Sequence, residues 1–174
     1  MIQTARLALR KLTEEDAGFI LRLLNEPSFL KFVGDKGVRN LDDARRYIRE
    51  GPIASYAEHG FGLYLVQHRA DGSAIGICGL LKRDTLDDPD IGFGLIPEWW
   101  SQGLATEATQ AILDRARSQH GLKRVVAITA ANNDSSKRVL EKIGLEFEKM
   151  VCLSDDSPEI CLFSTPDGEN QPAK

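Results

Sequence analysis

One short loop of the sequence has the residue types that bind an anion. It lies within residues 99–108, WWSQGLATEA, where a predicted strand ends and a predicted helix begins. The first turn of a helix leaves about four backbone N–H groups without internal partners, beside the positive end of the helix dipole. Gly103 lets a ligand approach the backbone, Ala105 adds little bulk and Thr106 offers a hydroxyl. Three charge-assisted hydrogen bonds of roughly 1.5–3 kcal/mol each would anchor a diphosphate there.

The same loop also fits a plain strand-to-helix turn whose glycine serves only the backbone geometry. It has neither the GxxxxGK(S/T) pattern of a P-loop nor the GxGxxG pattern of a dinucleotide site. The loop alone therefore leaves both interpretations open.

A second polar segment follows one predicted strand later, at residues 131–145, ANNDSSKRVLEKIGL. Ser136 is followed by apolar residues three, four and seven positions later, so it lies on their face of a helix. A hydroxyl on that face needs a hydrogen-bond partner. The partner is either the helix cap, supplied by Asn133, Asp134 or Ser135, or a bound ligand.

The rest of the chain predicts the elements that position these segments. Strand-like patterns cover residues 7–10, 61–68, 74–82, 91–96, 124–130, 145–153 and 158–163. Helical spacing predicts a first helix that Thr13 and Asp16 cap and Pro27 ends, and further helices over 41–51, over 104–118 and through 139–143. The turn at 70–73 predicts an antiparallel hairpin.

Length and charge limit the classes of protein to which the chain can belong. At 174 residues it predicts one domain, and Lys plus Arg (22) nearly balance Asp plus Glu (26). The acidic excess lies in residues 154–174, so the body is balanced and has no basic stripe for nucleic acid. Three cysteines without a CxxC pair predict no disulfide framework or thiolate metal site, and no apolar run approaches the about 20 residues of a membrane span. We therefore expect a cytoplasmic protein without a metal, nucleic-acid or membrane partner.

The order of loop, helix, strand, Asn-x-x-Ser and second helix resembles the two signature segments of the GNAT superfamily of N-acetyltransferases. The chain is similar to its RimJ/RimL-like branch, which acetylates N-terminal amines of ribosomal proteins. The resemblance extends from the RLALR run at residues 6–10 to residue 148. It implies one mixed α/β (α+β) domain over residues 1–164, with acetyl-CoA as co-substrate and a primary amine as acceptor. We expect residues 165–174 to form a disordered tail, because they are polar and contain Pro and Gly.

The implied domain has a twisted, mostly antiparallel sheet of about six to seven strands and about four helices, and its central strands splay to admit acetyl-CoA. The resemblance also implies where the coenzyme lies. The pantetheine arm passes Gly94, Leu95 and Ile96; the pyrophosphate rests on Trp100, Ser101, Gln102, Gly103, Leu104, Ala105 and Thr106; and Asn133 and Ser136 line the far wall. Related enzymes usually have Arg or Gln at the position of Trp100, so a side-chain contact is weakened there.

Transfer to an amine requires a neutral nucleophile and a protonated leaving thiol. In related enzymes the serine at position 136 is proposed as the acid, and the tyrosine that many other members use would fall at Leu140, which cannot donate a proton. Deprotonation at neutral pH costs about 4 kcal/mol for a lysine and about 1 kcal/mol for an α-amine. Asp90 is the best-placed candidate base, although it also fits a solvated acidic turn at residues 87–90. Weaker candidate bases are Glu98, His59 and His120.

The acceptor is less constrained by sequence than the coenzyme. A protein or peptide N-terminal α-amine is the favoured substrate, and a small-molecule amine such as an amino sugar, polyamine or amino acid is the alternative. A non-catalytic acyl-CoA-binding protein is a further alternative, because the usual tyrosine is absent. The side chains expected to shape specificity are Phe29, Phe32 and Tyr56. Trp99 and Trp100 are expected either to pack or to form one wall of the acceptor groove.

Overall fold

An eight-stranded sheet runs through the structure, a computed structural model that describes residues 1–166. Its strands are β1 (Ile2–Gln3), β2 (Leu7–Lys11), β3 (Leu63–His68), β4 (Ala74–Leu81), β5 (Asp90–Leu95), β6 (Val126–Ala130), β7 (Glu146–Val151) and β8 (Ile160–Ser164). The helices are α1 (Ala17–Leu24), α2 (Pro27–Phe32), α3 (Leu41–Ile48), α4 (Ala54–His59), α5 (Leu104–His120) and α6 (Asp134–Lys142). The predicted mixed α/β class is confirmed.

The strand order is β1-β2-β3-β4-β5-β6-β8-β7, and every neighbouring pair is antiparallel except β5 and β6. The parallel pair meets only at Asp90 and Val126, where the Val126 amide donates to the Pro89 carbonyl at 3.0 Å. Beyond that point the two strands are not paired, so the sheet is open at its centre. The predicted largely antiparallel, splayed sheet is therefore confirmed.

Two hydrophobic clusters cover the two faces of the sheet. Tyr64 and Val66 of β3 belong to the cluster that includes residues of α5 and α6, whereas Leu63 and Leu65 belong to the cluster that includes α1 and α3. Alternate residues of a strand point to opposite faces. The amino-terminal helices therefore pack on one face, and α5 and α6 on the other.

Local sequence signals explain several helix ends. Thr13 and Asp16 form the predicted capping box, and the Asn40 side chain accepts a hydrogen bond from the Asp43 amide at the start of α3. Pro27 does not simply end the first helix, because α1 already ends at Leu24 and Pro27 occupies the first turn of α2. Proline suits that position because the first helical N–H has no partner within the helix.

The segment 49–53 differs most from its prediction. Gly51 and Pro52 predict the end of a helix, but the chain continues through a π-helical turn, Arg49–Ile53, directly into α4. The prediction therefore missed α4, and it also missed α2 and the two-residue β1. These short elements account for the larger counts of strands and helices.

The carboxyl-terminal boundary extends beyond β8. Thr165, which the prediction assigned to a disordered tail, is buried, and its amide donates to the Val125 carbonyl at 2.9 Å. Its hydroxyl accepts a hydrogen bond from the Val125 amide at 3.1 Å. The rest of the predicted tail, at 167–174, lies outside the described residues. Over residues 1–166, no helix is long and apolar enough to cross a membrane.

Candidate functional site

The opening between β5 and β6 brings the two signature segments to the same part of the fold. The loop at 101–106 follows β5, and the segment at 131–136 follows β6. Because β5 and β6 are parallel, their carboxyl ends lie at the same edge of the sheet, and the strands have separated by that edge. The two polar segments therefore lie on the two sides of one opening.

The loop at 101–106 has an unusual backbone. Gly103 precedes α5 with a φ of +74°, and Ser101 has a φ of +59°, a left-handed conformation that is uncommon outside glycine. Within residues 1–166, none of the backbone amides from Ser101 to Thr106 donates a hydrogen bond to a protein acceptor. Ser101, Gln102 and Gly103 are exposed. The loop therefore presents free N–H groups at the start of a 17-residue helix, as an anion site requires.

An ionic cluster from the amino-terminal strands holds this loop in place. Arg6 donates from Nη1 to the Gln102 carbonyl at 2.8 Å and from Nε to Glu107 Oε2 at 2.7 Å. The other Glu107 oxygen accepts from the Arg6 amide at 2.8 Å and from the Thr4 hydroxyl at 2.5 Å. Burial by itself would raise the pKa of Glu107, but the hydrogen bonds from Thr4 and Arg6 bring it below its ordinary value. A charged carboxylate therefore fastens α5 to the start of the sheet.

This cluster could not be predicted from the sequence, because Arg6 and Glu107 are 101 residues apart. The one available signal was the acidic residue in the first turn of α5, which a helix dipole already explains.

The two tryptophans of the loop have packing roles. Trp100 is 47% exposed, yet its indole N–H donates to the Leu95 carbonyl at 2.7 Å, so its ring folds back over the end of β5. The Trp99 ring packs against His68 with a centroid distance of 4.7 Å and an interplanar angle of 42°. Neither residue lines the cavity described below. The structure thus favours packing over a groove wall for both.

Asn133 and Ser136 form the cap of α6 on the far side of the opening. Asn133 Oδ1 accepts a hydrogen bond from the Ser136 amide at 3.1 Å. The Ser136 hydroxyl has no partner among the residues that the structure describes, and the residue is half-buried. Leu140, one turn along, is fully buried. The cap therefore uses the Ser136 backbone and leaves its side chain available to a ligand.

Asp90 is neither solvated nor free, contrary to the acidic-turn interpretation. It is 1% exposed, and both of its oxygens accept from Nε of Arg83, at 3.0 and 3.1 Å. Burial raises the pKa of Asp90, and the charge of Arg83 opposes that rise. A carboxylate held in this way at the closed end of the opening suits a structural ion pair better than a general base, which must reach its substrate.

Glu98 and His120 are also poorly suited to act as the base. Glu98 is exposed and paired with Arg22, and its pKa is lowered by its own backbone amide and then by Arg22. His120 ends α5 with its ring edge against Phe61, and burial together with Arg115 lowers its pKa. Neither side chain lines the cavity.

A cavity of about 400 Å³ lies on the face that α2, α3 and α4 cover. Gly92 and Phe93 of β5 line it, so it reaches the strand that forms one side of the opening. Phe29 of α2 is part of its wall, as expected for an acceptor site, whereas Phe32 and Tyr56 are not. Tyr56 instead hydrogen-bonds the backbone of β3 and Leu12.

His59 is the one candidate base that lines this cavity. It is half-buried, stacks on Phe61 at 5.7 Å, and has Nε2 3.8 Å from a Glu58 oxygen. Over residues 1–166, no cluster of three or more His, Cys, Asp and Glu side chains could hold a metal ion. Of the four candidate bases, His59 is therefore the one whose position fits contact with an acceptor in this cavity.

Comparison with known proteins agrees with this architecture. Residues 6–146 match the family model of the acetyltransferase (GNAT) domain. An uncharacterized N-acetyltransferase of Bacillus subtilis, YoaA, is 27% identical over 152 residues, which span 87% of this chain and 85% of that protein. The crystal structure of an acetyltransferase from Agrobacterium tumefaciens superposes with a TM-score of 0.80 at 23% identity, covering 94% of this chain and 92% of the other.

A further structural neighbour was solved with coenzyme A. It is RimL, a ribosomal L7/L12 alpha-N-protein acetyltransferase, with a TM-score of 0.73 at 16% identity over 92% of this chain and 94% of the neighbour.

Proposed function

The chain belongs to the GNAT acetyltransferase family and is an acetyl-CoA-dependent N-acetyltransferase, and from this premise we propose that it acetylates the N-terminal α-amine of a protein or peptide. One observation carries the proposal: β5 has free loop amides at its carboxyl end and an acceptor-sized cavity along its side. An amine bound in the cavity would attack the thioester of a coenzyme bound at the carboxyl end of β5. Direct transfer needs no covalent enzyme intermediate, because positioning the two reactants supplies much of the rate.

The coenzyme lies along the opening in this proposal. The amides from Ser101 to Thr106 would hold the diphosphate, and Gly94, Leu95 and Ile96 would border the pantetheine arm. Asn133 and Ser136 would form the opposite wall. The fit is supported by the free amides, the exposed left-handed Gly103 and the unpaired edge of β5. Acetyl-CoA supplies an activated acetyl group, whose carbonyl the backbone donors near Leu95 would polarise.

Proton transfer would use one side chain at the acceptor cavity and one beside the coenzyme. His59 would accept the proton of the ammonium, because its imidazole lines the acceptor cavity and histidine is the most frequent general base. The Ser136 hydroxyl is half-buried and has no partner among the described residues, so it would donate its proton to the leaving thiolate. It would regain a proton through solvent, which takes up the second proton that the amine nitrogen loses as the amide forms. Asp90 is not the proposed base, because both of its oxygens accept hydrogen bonds from Arg83.

The chemistry of the amine favours an α-amine over a lysine. An α-amine needs only about 1 kcal/mol to lose its proton at neutral pH, against about 4 kcal/mol for a lysine, so it demands less of a general base. RimL, which shares the fold, is named for acetylation of a protein α-amine. The proposed acceptor is thus the one that this site activates most easily.

A thiol-release assay tests the acceptor. Purified protein and acetyl-CoA are combined with N-terminal peptides, the same peptides with a blocked α-amine, polyamines and amino sugars, and products are identified by mass spectrometry. We expect acetylation of free peptide α-amines and none of the blocked peptides. Acetylation of polyamines or amino sugars alone would replace the proposed acceptor with a small molecule. Coenzyme binding without thiol release on any amine would indicate a binding protein.

A further inference from the structure

Part of the lining of the acceptor cavity consists of hydrogen-bond donors. Lys36, Tyr47 and Arg83 line it, and they come from the loop after α2, from α3 and from the segment after β4. The three residues lie far apart in sequence. The fold therefore brings three hydrogen-bond donors to the wall of a single cavity.

Most of these donors are free. Within residues 1–166, the Lys36 ammonium and the Tyr47 hydroxyl form no hydrogen bond or ion pair. Arg83 uses Nε for Asp90, and its two Nη groups have no acceptor in the same part of the chain. Lys82, the other cation of the wall, already donates to two backbone carbonyls of the following loop. Lys36, Tyr47 and Arg83 are thus the groups that remain able to bind a ligand.

The charges around Lys36 are unbalanced. Lys36 is exposed overall, but partial desolvation of its ammonium and the positive charge of Arg83 lower its pKa, and no carboxylate offsets them. The acids that line the cavity, Glu50 and Glu58, form no ion pair with Lys36 or Arg83. Asp90 occupies only Nε of Arg83, so an anion that reaches Lys36 and the Nη groups of Arg83 gains from both. An acidic group of the acceptor would therefore meet donors that no protein carboxylate occupies.

We infer that Lys36, Tyr47 and the Nη groups of Arg83 bind a carboxylate of the acceptor, so that the enzyme prefers primary amines with an acidic group nearby. The guanidinium fork and an ammonium suit a carboxylate, since charge-assisted hydrogen bonds are the strong ones. The inference rests on the proposed transfer to an amine in this cavity. The carboxylate is either an acidic side chain near a peptide N-terminus or the α-carboxylate of a free amino acid.

Matched acceptors separate these sources. Amidated peptides that begin Ser-Glu and Ser-Gln differ by one charge, and serine and serinamide differ by the α-carboxylate. We expect kcat/KM to favour one acidic member over its neutral match by about tenfold, chiefly through KM, because one charge-assisted bond is worth about that much. Preference within the peptide pair assigns a side chain, and preference within the serine pair assigns an α-carboxylate. Equal rates within both pairs would overturn the inference and leave the acetyl transfer intact.

Variants of Lys36 test whether these residues cause the preference. Lys36→Met should bring the ratio of kcat/KM for the acidic acceptor to kcat/KM for its neutral match down to about one, and Lys36→Arg should restore the preference. Tyr47→Phe should reduce it. Lys31→Met is the matched control, since Lys31 lies outside the cavity, above the Phe32 ring. A preference that survives Lys36→Met would overturn the inference, because a merely structural lysine would alter both acceptors alike.

Direct binding separates this inference from the proposed function. The acetylated peptides Ac-Ser-Glu-amide and Ac-Ser-Gln-amide are titrated into the coenzyme-loaded protein by calorimetry, which requires no turnover. If the acidic peptide binds more tightly than the neutral one, and Lys36→Met removes this difference in affinity, the carboxylate site is supported. This result would stand even if no amine were acetylated and the proposed acceptor were therefore wrong. Equal binding of the two peptides, in agreement with equal rates, would remove the carboxylate site alone.

Discussion

The proposed coenzyme loop and the proposed acceptor cavity, which both adjoin β5, are built from different kinds of groups. On the coenzyme side, one contiguous loop offers backbone amides, and its conformation depends on a left-handed Gly103 and an anchoring Arg6. On the acceptor side, side chains from α2, α3, α4 and the ends of β4 and β5 line a cavity. Backbone amides recognise a diphosphate whatever side chains surround them. Exchange of a few cavity side chains can therefore change the acceptor and leave the coenzyme site unaltered.

The largest expected effect is on the coenzyme side. Gly103→Glu should weaken acetyl-CoA binding by at least about 100-fold, because it forces a side chain into a φ of +74° and sets a carboxylate against the diphosphate. Gly72→Glu is the matched control, since Gly72 has a φ of +73° in the exposed hairpin turn. Calorimetry with acetyl-CoA measures both variants. Comparable affinity in the two would show that the loop amides do not hold the coenzyme.

Removal of the proposed acid should separate chemistry from binding. We expect Ser136→Ala to lower kcat by about 100-fold, the lower end of a general acid's contribution, and to leave the acetyl-CoA Kd unchanged. Asn133 still caps α6 in this variant, because the cap bonds the amide of residue 136. Ser135→Ala, at the exposed neighbouring position, serves as the control. Full turnover in Ser136→Ala would exclude this hydroxyl from the mechanism.

The anchor of the loop should have a smaller effect. Arg6→Met removes the hydrogen bond to the Gln102 carbonyl and the ion pair with Glu107, and we expect about a tenfold weaker affinity for acetyl-CoA. The acceptor KM should not change, because Arg6 does not line the cavity. Arg45→Met removes a similar exposed ion pair on α3 and should leave both constants at parental values. A changed acceptor KM in Arg6→Met would contradict the separation of the two sides.

The smallest effect concerns stability at acid pH. The folded-state pKa of Glu107 lies below its ordinary value of 4.5, so its stabilisation is present above that pH and is lost as pH falls through the folded-state value. As the pH falls through this range, the free energy of unfolding of the parent should decrease by about 1 kcal/mol more than that of Glu107→Gln. Urea unfolding at pH 7 and at pH 3 measures the difference. Identical pH dependence in both proteins would contradict the anchoring role.

How far the sequence predicts each region follows from the range of its contacts. The conformation of the loop at 101–106 and the Asn133 cap are predictable, because a turn glycine, small residues and a capping side chain act within a few residues of one another. Arg6 was missed as an anchor, since its partners lie about a hundred residues away. Lys36, Tyr47 and Arg83 were missed for the same reason, because they line one cavity only after the sheet and α3 have formed.

Two predictions from local sequence differ from the structure for physical reasons. Gly51 and Pro52 normally end a helix, but the wider π-helical turn accommodates the proline and carries the chain into α4, which forms part of the cavity wall. Asp90 stands in an acidic run that indicates a solvated turn, yet Arg83 pairs with it and allows its burial. In both cases tertiary context overrides a correct local preference.

The central claim is that the backbone amides of residues 101–106 bind the diphosphate of the coenzyme. Titration of ¹⁵N-labelled protein with coenzyme A, followed by amide NMR, tests it most directly. We predict that the amides of Ser101 to Thr106 shift downfield together and saturate at one Kd, and that the shifts disappear in Gly103→Glu but persist in Gly72→Glu. Saturable binding that leaves these amides unshifted and moves others would contradict the claim.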